Sequence, residues 1–321
     1  MNRCLCCNKA LNTTSSNSVQ SVFGWHASCI KSFFDTDIFP DIEISKEVLN
    51  QLAIESTTKG LTVTGVQKKL SLHLSKDAQP RLTLVNYPTG YILKPQTEEY
   101  DALPEMEYLV MKMAEISGIN TVPYALVRIS SQDNSFAYIT KRIDRMNNQI
   151  LAMEDFCQLD ERLTEDKYRG SYERCAKLIG KYSSRNGLNL SELFLRIVFS
   201  FAVGNSDMHL KNFSLIEASE GSENYILSPA YDMLSTNVVI PSDHEQLALT
   251  LNGKKQNIRR KDFFAFAETI GLASKAAEKI IQKIVNLKDK YIAMCQESYM
   301  PESMKESLIK LIEERISTLS I

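Results

Sequence analysis

Asp207 and Asn212 stand five positions apart in the run Gly204-Asn205-Ser206-Asp207-Met208-His209-Leu210-Lys211-Asn212-Phe213. Asp-x4-Asn is the spacing of a kinase catalytic loop. Phosphoryl transfer needs both groups. A carboxylate must orient a hydroxyl and accept its proton, and an amide oxygen must help hold Mg2+ beside the phosphates. The same pair can also be two loop residues that cap neighbouring backbone. Asp232, in Pro229-Ala230-Tyr231-Asp232-Met233, comes after a second strand-like run, where another Mg2+-binding carboxylate belongs. By itself an Asp in a turn after a strand is the favoured reading. Lys94 ends the apolar run Ile92-Leu93-Lys94, where an ammonium can pair with nucleotide phosphates. Glu107 and Glu105, near the start of the next helix, compete as its ion-pair partner. The turn Gly65-Val66-Gln67-Lys68-Lys69 could lay backbone N–H groups and a lysine over phosphates, with Gly65, Gln67 and Lys69 in contact. It is neither G-x-G-x-x-G nor a Walker A motif. Each signal is weak alone; their order along the chain is that of a protein kinase.

These groups need elements to hold them. The first part of the chain alternates apolar and polar residues at Val63, Leu70, Leu72 and Leu74, at Arg81–Val85 and at Tyr91–Lys94, which reads as strands. Asn86-Tyr87-Pro88-Thr89-Gly90 is turn chemistry. Ile44–Ser56 and Pro104–Ser117 have helical spacing, the second stopped by Gly118. Tyr124–Ile129 and Phe136–Ile143 are strand-like, separated by the polar loop Ser130–Ser135. Beyond Asp144 helical spacing dominates, in Tyr172–Tyr182, Leu190–Val203, Lys261–Thr269, Ala273–Glu297 and Pro301–Leu319. The expectation is an α+β, bilobed, protein-kinase-like fold: a small mixed N-lobe and a larger helical C-lobe. The boundaries expected are a cysteine-rich segment 1–35, an N-lobe 36–141 and a C-lobe 142–321. A ligand site is expected where two such lobes meet.

Composition permits this and excludes other classes. The chain has 321 residues, 44% hydrophobic and 24% charged, with 37 basic against 39 acidic side chains. A net charge of -2 excludes a generally basic nucleic-acid binder. No apolar run reaches the ~20 residues of a membrane span. No secretion pattern opens the chain, and its seven cysteines are an odd count, so reducing cytosol is expected rather than a disulfide framework. The basic run Lys254, Lys255, Arg259, Arg260 and Lys261 reads as a solvated face. Cys157, Cys175 and Cys295 read as core.

Thr64-Gly65-Val66-Gln67-Lys68-Lys69-Leu70, Ile92-Leu93-Lys94-Pro95, Lys141-Arg142-Ile143-Asp144-Arg145, Glu154-Asp155-Phe156-Cys157-Gln158, Gly204 to Phe213 and Ala230-Tyr231-Asp232 together resemble the HipA-type serine/threonine kinases, toxins of bacterial toxin–antitoxin systems. The resemblance spans about residues 60–320. HipA is longer and has an additional N-terminal subdomain that this chain is too short to hold. The chain therefore looks more like the short HipT branch, whose missing subdomain is a separate small protein. The resemblance implies ATP and Mg2+ as cofactors, with Asp207 as catalytic base, Asn212 and Asp232 on Mg2+, and Lys94 on the ATP phosphates. It implies a hinge over Tyr138–Arg142, including Lys141, that meets adenine, then Ile143 and Asp144 beside the nucleoside. It puts His209 and Lys211 near the phosphates. In the family the glycine turn is autophosphorylated, and the matching hydroxyls here are Thr62 and Thr64. A phosphate there would repel those of ATP. Partners implied are a HipB-like helix-turn-helix antitoxin, a HipS-like small protein, and an aminoacyl-tRNA synthetase as substrate, with tryptophanyl-tRNA synthetase favoured. DNA contact would be indirect, through the antitoxin.

Cys4-x2-Cys7 and His26-x2-Cys29 have the spacing of a four-ligand Zn2+ knuckle, with Cys6 a rival ligand. The alternative is a set of reduced thiols packed with Trp25 and Phe23. Two other readings of the whole chain stay open: a pseudokinase-like module that sequesters partners, and a small-molecule kinase. Lys94, Asp207, Asn212 and Asp232 all weigh against the first.

Overall fold

The computed structural model describes residues 3–11, 23–42, 69–75, 79–83, 90–129, 135–146 and 149–321. Thr62, Thr64, Gly65 and Gln67, and the helix expected at 44–56, lie outside the described residues.

The chain divides into two compact units, Met1–Tyr108 with Val122–Asn147, and Leu109–Thr121 with Asn148–Ile321. The first is built on a five-stranded sheet. In it β1 (Leu70–Ser75), β2 (Arg81–Thr83), β3 (Tyr91–Pro95), β4 (Tyr124–Arg128) and β5 (Phe136–Lys141) run in the order β2-β1-β3-β5-β4. All its pairings are antiparallel, and Lys94 on β3 sits opposite Tyr138 on β5. Alternation sets the buried face of β1, with Leu70, Leu72 and Leu74 inside. Helix α1 (Ala27–Phe34) adds Phe33 and Phe34 to an aromatic cluster with Trp25, Phe39 and Tyr91. Cysteine-rich residues 3–11 lie against β4, where the Leu126 N–H donates to Leu5 O at 2.9 Å. The cysteine segment and the sheet thus share one core.

Helix α2 (Leu103–Ile116) stops where the sequence says, since Gly118 takes φ +80°. In the second unit β6 (Met153–Asp155), β7 (Ser214–Glu217) and β8 (Tyr225–Leu227) form a sheet ordered β8-β7-β6. The helices are α3 (Phe156–Leu159), α4 (Tyr172–Tyr182), α5 (Asn186–Val203), α6 (Thr236–Val239), α7 (Arg260–Thr269), α8 (Ser274–Asn286), α9 (Lys288–Gln296) and α10 (Glu302–Ser320). Helix α5 is buried almost all round from Leu193 to Val203 and is the core of this unit. The single helix expected over 273–297 is two helices joined at Leu287. Leu287 N–H closes the last turn of α8 on Ile284 O at 3.1 Å. The bend buries Ile281 and Ile284 on one helix and Tyr291 on the next, whose hydroxyl meets Ser117 Oγ at 2.5 Å. Among the described residues, no helix is long and apolar enough to cross a membrane.

Candidate active site

Helix α5 ends at Gly204, with φ +67°. A Cβ there would come within 2.8 Å of the Leu311 side chain, so both backbone and packing demand glycine. The chain then turns into the loop that carries Asp207. Ser206 anchors it: its N–H donates to Thr236 Oγ1 at 2.7 Å, and its hydroxyl donates to Asp243 Oδ2 at 2.5 Å. The Asp207 N–H donates to Asn205 Oδ1 at 3.1 Å. The Asp207 carbonyl accepts from the His209 N–H at 2.8 Å and from Asn212 Nδ2 at 2.7 Å. The carbonyl of Met208 accepts the phenol of fully buried Tyr172 at 3.2 Å. Backbone is the partner in most of these bonds, so the loop has one shape and the Asp207 carboxylate projects from it.

Asn212 spends its amide nitrogen on Asp207 O, which leaves Oδ1 as the atom it offers. Asp232 lies one residue past Tyr231, whose hydroxyl donates to Lys211 O at 3.2 Å and meets Ser214 Oγ at 2.5 Å. Tyr231 thereby ties the Asp232 turn to the Asn212 loop, and burial pushes its phenol pKa up. Arg196, on α5, donates to Ser228 O at 2.8 Å and pairs with Glu192 at 3.0 Å, which braces the approach to Asp232. Asp232 itself takes φ +56°, a left-handed position uncommon outside glycine. A carboxylate and an amide oxygen are hard donors of the kind Mg2+ takes, so this pair fits that ion.

Lys211 is paired with Asp155 at 2.7 Å, and His209 is buried with Nε2 at 3.8 Å from Asp207 Oδ1. Sequence reading missed Tyr168. Its phenol donates to Asp207 Oδ1, and its ring stands edge-on to His209, centroids 4.8 Å apart. Only proximity in the fold reveals it, since 39 residues separate the two. Burial first, and then the Asp207 charge, push the Tyr168 phenol pKa up, so it stays a donor.

In the first unit Lys94 and Glu107 form an ion pair at 2.5 Å, with side chains 4% and 1% exposed. Glu107, not Glu105, is the partner. Glu105 Oε2 is buried without a hydrogen-bond partner, and burial raises its carboxyl pKa to about 7. Tyr138 places its ring 5.2 Å below the Lys94 ammonium. Lys141 pairs with Asp35 at 3.1 Å, and Asp144 pairs with Arg142 at 2.6 Å. Lys69 is exposed, just before β1. Three residues of the basic run are ion-paired within their own unit: Lys254 with Asp262, Lys255 with Glu245 and Arg260 with Glu278.

At the N-terminus one ligand atom each from Cys4, Cys7, His26 and Cys29 lies within 4.8 Å of all the others. Cys6, the rival, is outside this set and instead offers its backbone carbonyl to Tyr108 OH at 3.2 Å. Burial, followed by the nearby thiols of Cys6 and Cys4, pushes the Cys29 thiol pKa up.

Comparison with known proteins places this arrangement. Residues 61–291 match the HipA-like C-terminal domain. A Haemophilus influenzae protein called "Putative kinase" is 27% identical over 349 residues, covering 100% of this chain and 98% of that one. "Putative kinase Y4dM" of Sinorhizobium fredii is 30% identical over 247 residues, 72% of this chain and 58% of that one. Among solved structures, HipA of Shewanella oneidensis, in complex with HipB and operator DNA, aligns with a TM-score of 0.64 at 18% identity, over 80% of this chain and 66% of that one. The Helicobacter pylori proinflammatory kinase CtkA aligns with a TM-score of 0.52 at 16% identity, over 77% of this chain and 93% of that one. The family match covers well over half of the sequence, and the kinase-like fold agrees with it: the chain belongs to the HipA-like family.

Proposed function

We propose that this chain is an ATP- and Mg2+-dependent protein serine/threonine kinase acting as the toxin of a bacterial toxin–antitoxin system. One observation carries the reading. Asn212 Nδ2 donates to Asp207 O at 2.7 Å, which locks a carboxylate and an amide oxygen into a single loop frame. A carboxylate fixed this way can orient a substrate hydroxyl and take its proton as the oxygen bonds to the γ-phosphorus and the bond to ADP breaks. Asn212 and Asp232 would hold Mg2+, which supplies neutralisation of the phosphate charge. Lys94 would pair with phosphate, with Glu107 fixing its ammonium. Tyr138, Lys141, Ile143 and Asp144 remain the proposed nucleoside contacts, and Gly65, Gln67, Lys69, His209 and Lys211 the proposed phosphate-side contacts.

The proposed substrate is an aminoacyl-tRNA synthetase, tryptophanyl-tRNA synthetase first, and the proposed sites of self-modification are Thr62 and Thr64. The proposed partners are a HipB-like antitoxin, in keeping with the HipB complex of the Shewanella protein, and a HipS-like small protein. The test is intact-mass and peptide mass spectrometry of wild type against Asp207→Gln, each incubated with MgATP with and without the synthetase. Phosphate on Thr62, Thr64 or the synthetase, absent with the variant, is the expected result. Unchanged masses for wild type and synthetase would overturn the proposed target and self-modification sites, and no ATP consumption in the same mixtures would leave the pseudokinase.

A further inference from the structure

We infer that Cys4, Cys7, His26 and Cys29 bind one Zn2+ ion, and that this ion fastens the N-terminal segment over the free edge of the five-stranded sheet. The inference is independent of the kinase reading. Four features support it. The four ligand atoms converge within 4.8 Å. His26 Nδ1 lies 3.4 Å from Cys7 Sγ and 3.9 Å from Cys29 Sγ. Ligands at about 2.3 Å (S) and 2.0 Å (N) around tetrahedral Zn2+ sit roughly 3.5 Å apart, which matches. The other ring nitrogen, Nε2, is 3.1 Å from Ala10 O. A proton there fixes the tautomer that leaves the Nδ1 lone pair bare, the outer-sphere arrangement of zinc histidines. One lone pair cannot accept well from two thiols at once, whereas a cation satisfies all three groups. Finally, the His26 N–H points at Cys4 Sγ at 3.4 Å, as amides do toward a thiolate ligand.

The position gives the ion its work. Strand β4 is the sheet edge, and unpaired edges invite wrong pairing. Leu126 on β4 has both backbone groups taken by the cysteine segment: its N–H by Leu5 O at 2.9 Å, its carbonyl by Trp25 Nε1 at 3.1 Å. Leu5 lies between Cys4 and Cys7, and Trp25 precedes His26, so the ligands bracket both contacts.

The experiment is metal analysis of full-length protein purified without chelator, with Cys7→Ser, Cys29→Ser and Cys6→Ser variants. Wild type and Cys6→Ser should carry about one zinc per chain, and the other two below about a tenth of that. Should those two not fold, chelator-stripped wild type titrated with Co2+ replaces them, read by the thiolate-to-cobalt charge-transfer band. Hydrogen exchange before and after stripping should show Leu126 opening while α5 stays protected. Zinc content unchanged by Cys7→Ser and Cys29→Ser, or stripped wild type that takes up no Co2+, overturns the site. Leu126 exchange unmoved by stripping overturns the edge-clamp role alone.

A second inference, which rests on the kinase reading, concerns Tyr168. We propose that it is a positioning residue for the Asp207 carboxylate. Leu210 N–H donates to Lys167 O at 3.1 Å, which pins the neighbouring Tyr168 to the same loop. With its phenol on Oδ1, the rotamer of the carboxylate is set. Tyr168→Phe keeps the ring on His209 and removes only that bond. Phosphate transfer from labelled ATP to the chain itself or to water should fall about 10-fold or more in kcat with KM for ATP little changed. Added to Asp207→Asn, the change should have no further effect. A Tyr168→Phe enzyme with wild-type kcat overturns the positioning role and leaves the kinase reading standing. A wild type that transfers no phosphate overturns both.

Discussion

The two units hold their charged groups in opposite ways. Lys94 and Glu107 are a buried ion pair. Asp207 projects from a loop whose shape is set by backbone and hydroxyl partners: Ser206 with Thr236 and Asp243, Asn212 with the Asp207 carbonyl, Tyr172 with Met208. Its own carboxylate contributes little to that scaffold. Charge burial therefore couples function to stability in the first unit and separates them in the second. A buried pair is expensive to break because the remaining charge has no water. A projecting carboxylate can be neutralised with little loss of fold.

The comparison breaks most sharply at Asp207. Asp207→Asn should reduce phosphate transfer by about 10²–10⁴-fold while thermal unfolding stays at the wild-type midpoint. A large fall in that midpoint would mean the loop depends on the charge after all. Next, Glu107→Ala should cost about 3–5 kcal/mol in denaturant unfolding, since it removes the carboxylate that faces a buried ammonium. A cost under about 1 kcal/mol would put the pair in the class of exposed salt bridges. Glu105 sharpens the contrast by pH. Its folded pKa of about 7 lies above the ordinary 4.5, so the stability it contributes is complete below pH 4.5 and is lost as pH rises through about 7. Glu105→Gln should therefore gain on wild type by on the order of 2 kcal/mol between pH 4.5 and 7 and hold a constant lead above that. A gap that stays flat over this window would show the carboxyl is solvated. At the small end, Lys305→Ala should change stability by less than about 0.5 kcal/mol, because its partner Glu302 is 75% exposed.

Much of the candidate site is legible in the sequence because its contacts are local. Asp207 and Asn212 bond across five residues, and a Cys-x2-Cys turn brings two thiols together by itself. Elements with a clean period are legible too: β1, β3, β5 and α4 appear close to where alternation and helical spacing put them. The join at Leu287 is not, since no glycine or proline marks it and only the burial of Tyr291 beside Ser117 bends the chain there. Tyr168, and the Asp155 partner of Lys211, are illegible for the same reason: the paired residues stand 39 and 56 positions apart.

By itself, the sequence determined which chemistries are available and the order in which they occur: thiols and imidazole at knuckle spacing, a strand lysine, Asp-x4-Asn and a later Asp. Tertiary structure alone decided between candidates of equal local standing. Glu105 and Glu107 are two residues apart, so a helical turn of about 100° per residue points them to nearly opposite sides. Only packing against β3 could select Glu107 for Lys94 and leave Glu105 aside, with its Oε2 buried and unbonded. Cys6 and Cys7 are adjacent, and only the fold turned Cys7 toward His26 and gave the carbonyl of Cys6 to Tyr108. Spacing names the groups that can meet, and the burial of one face over another settles which of them do.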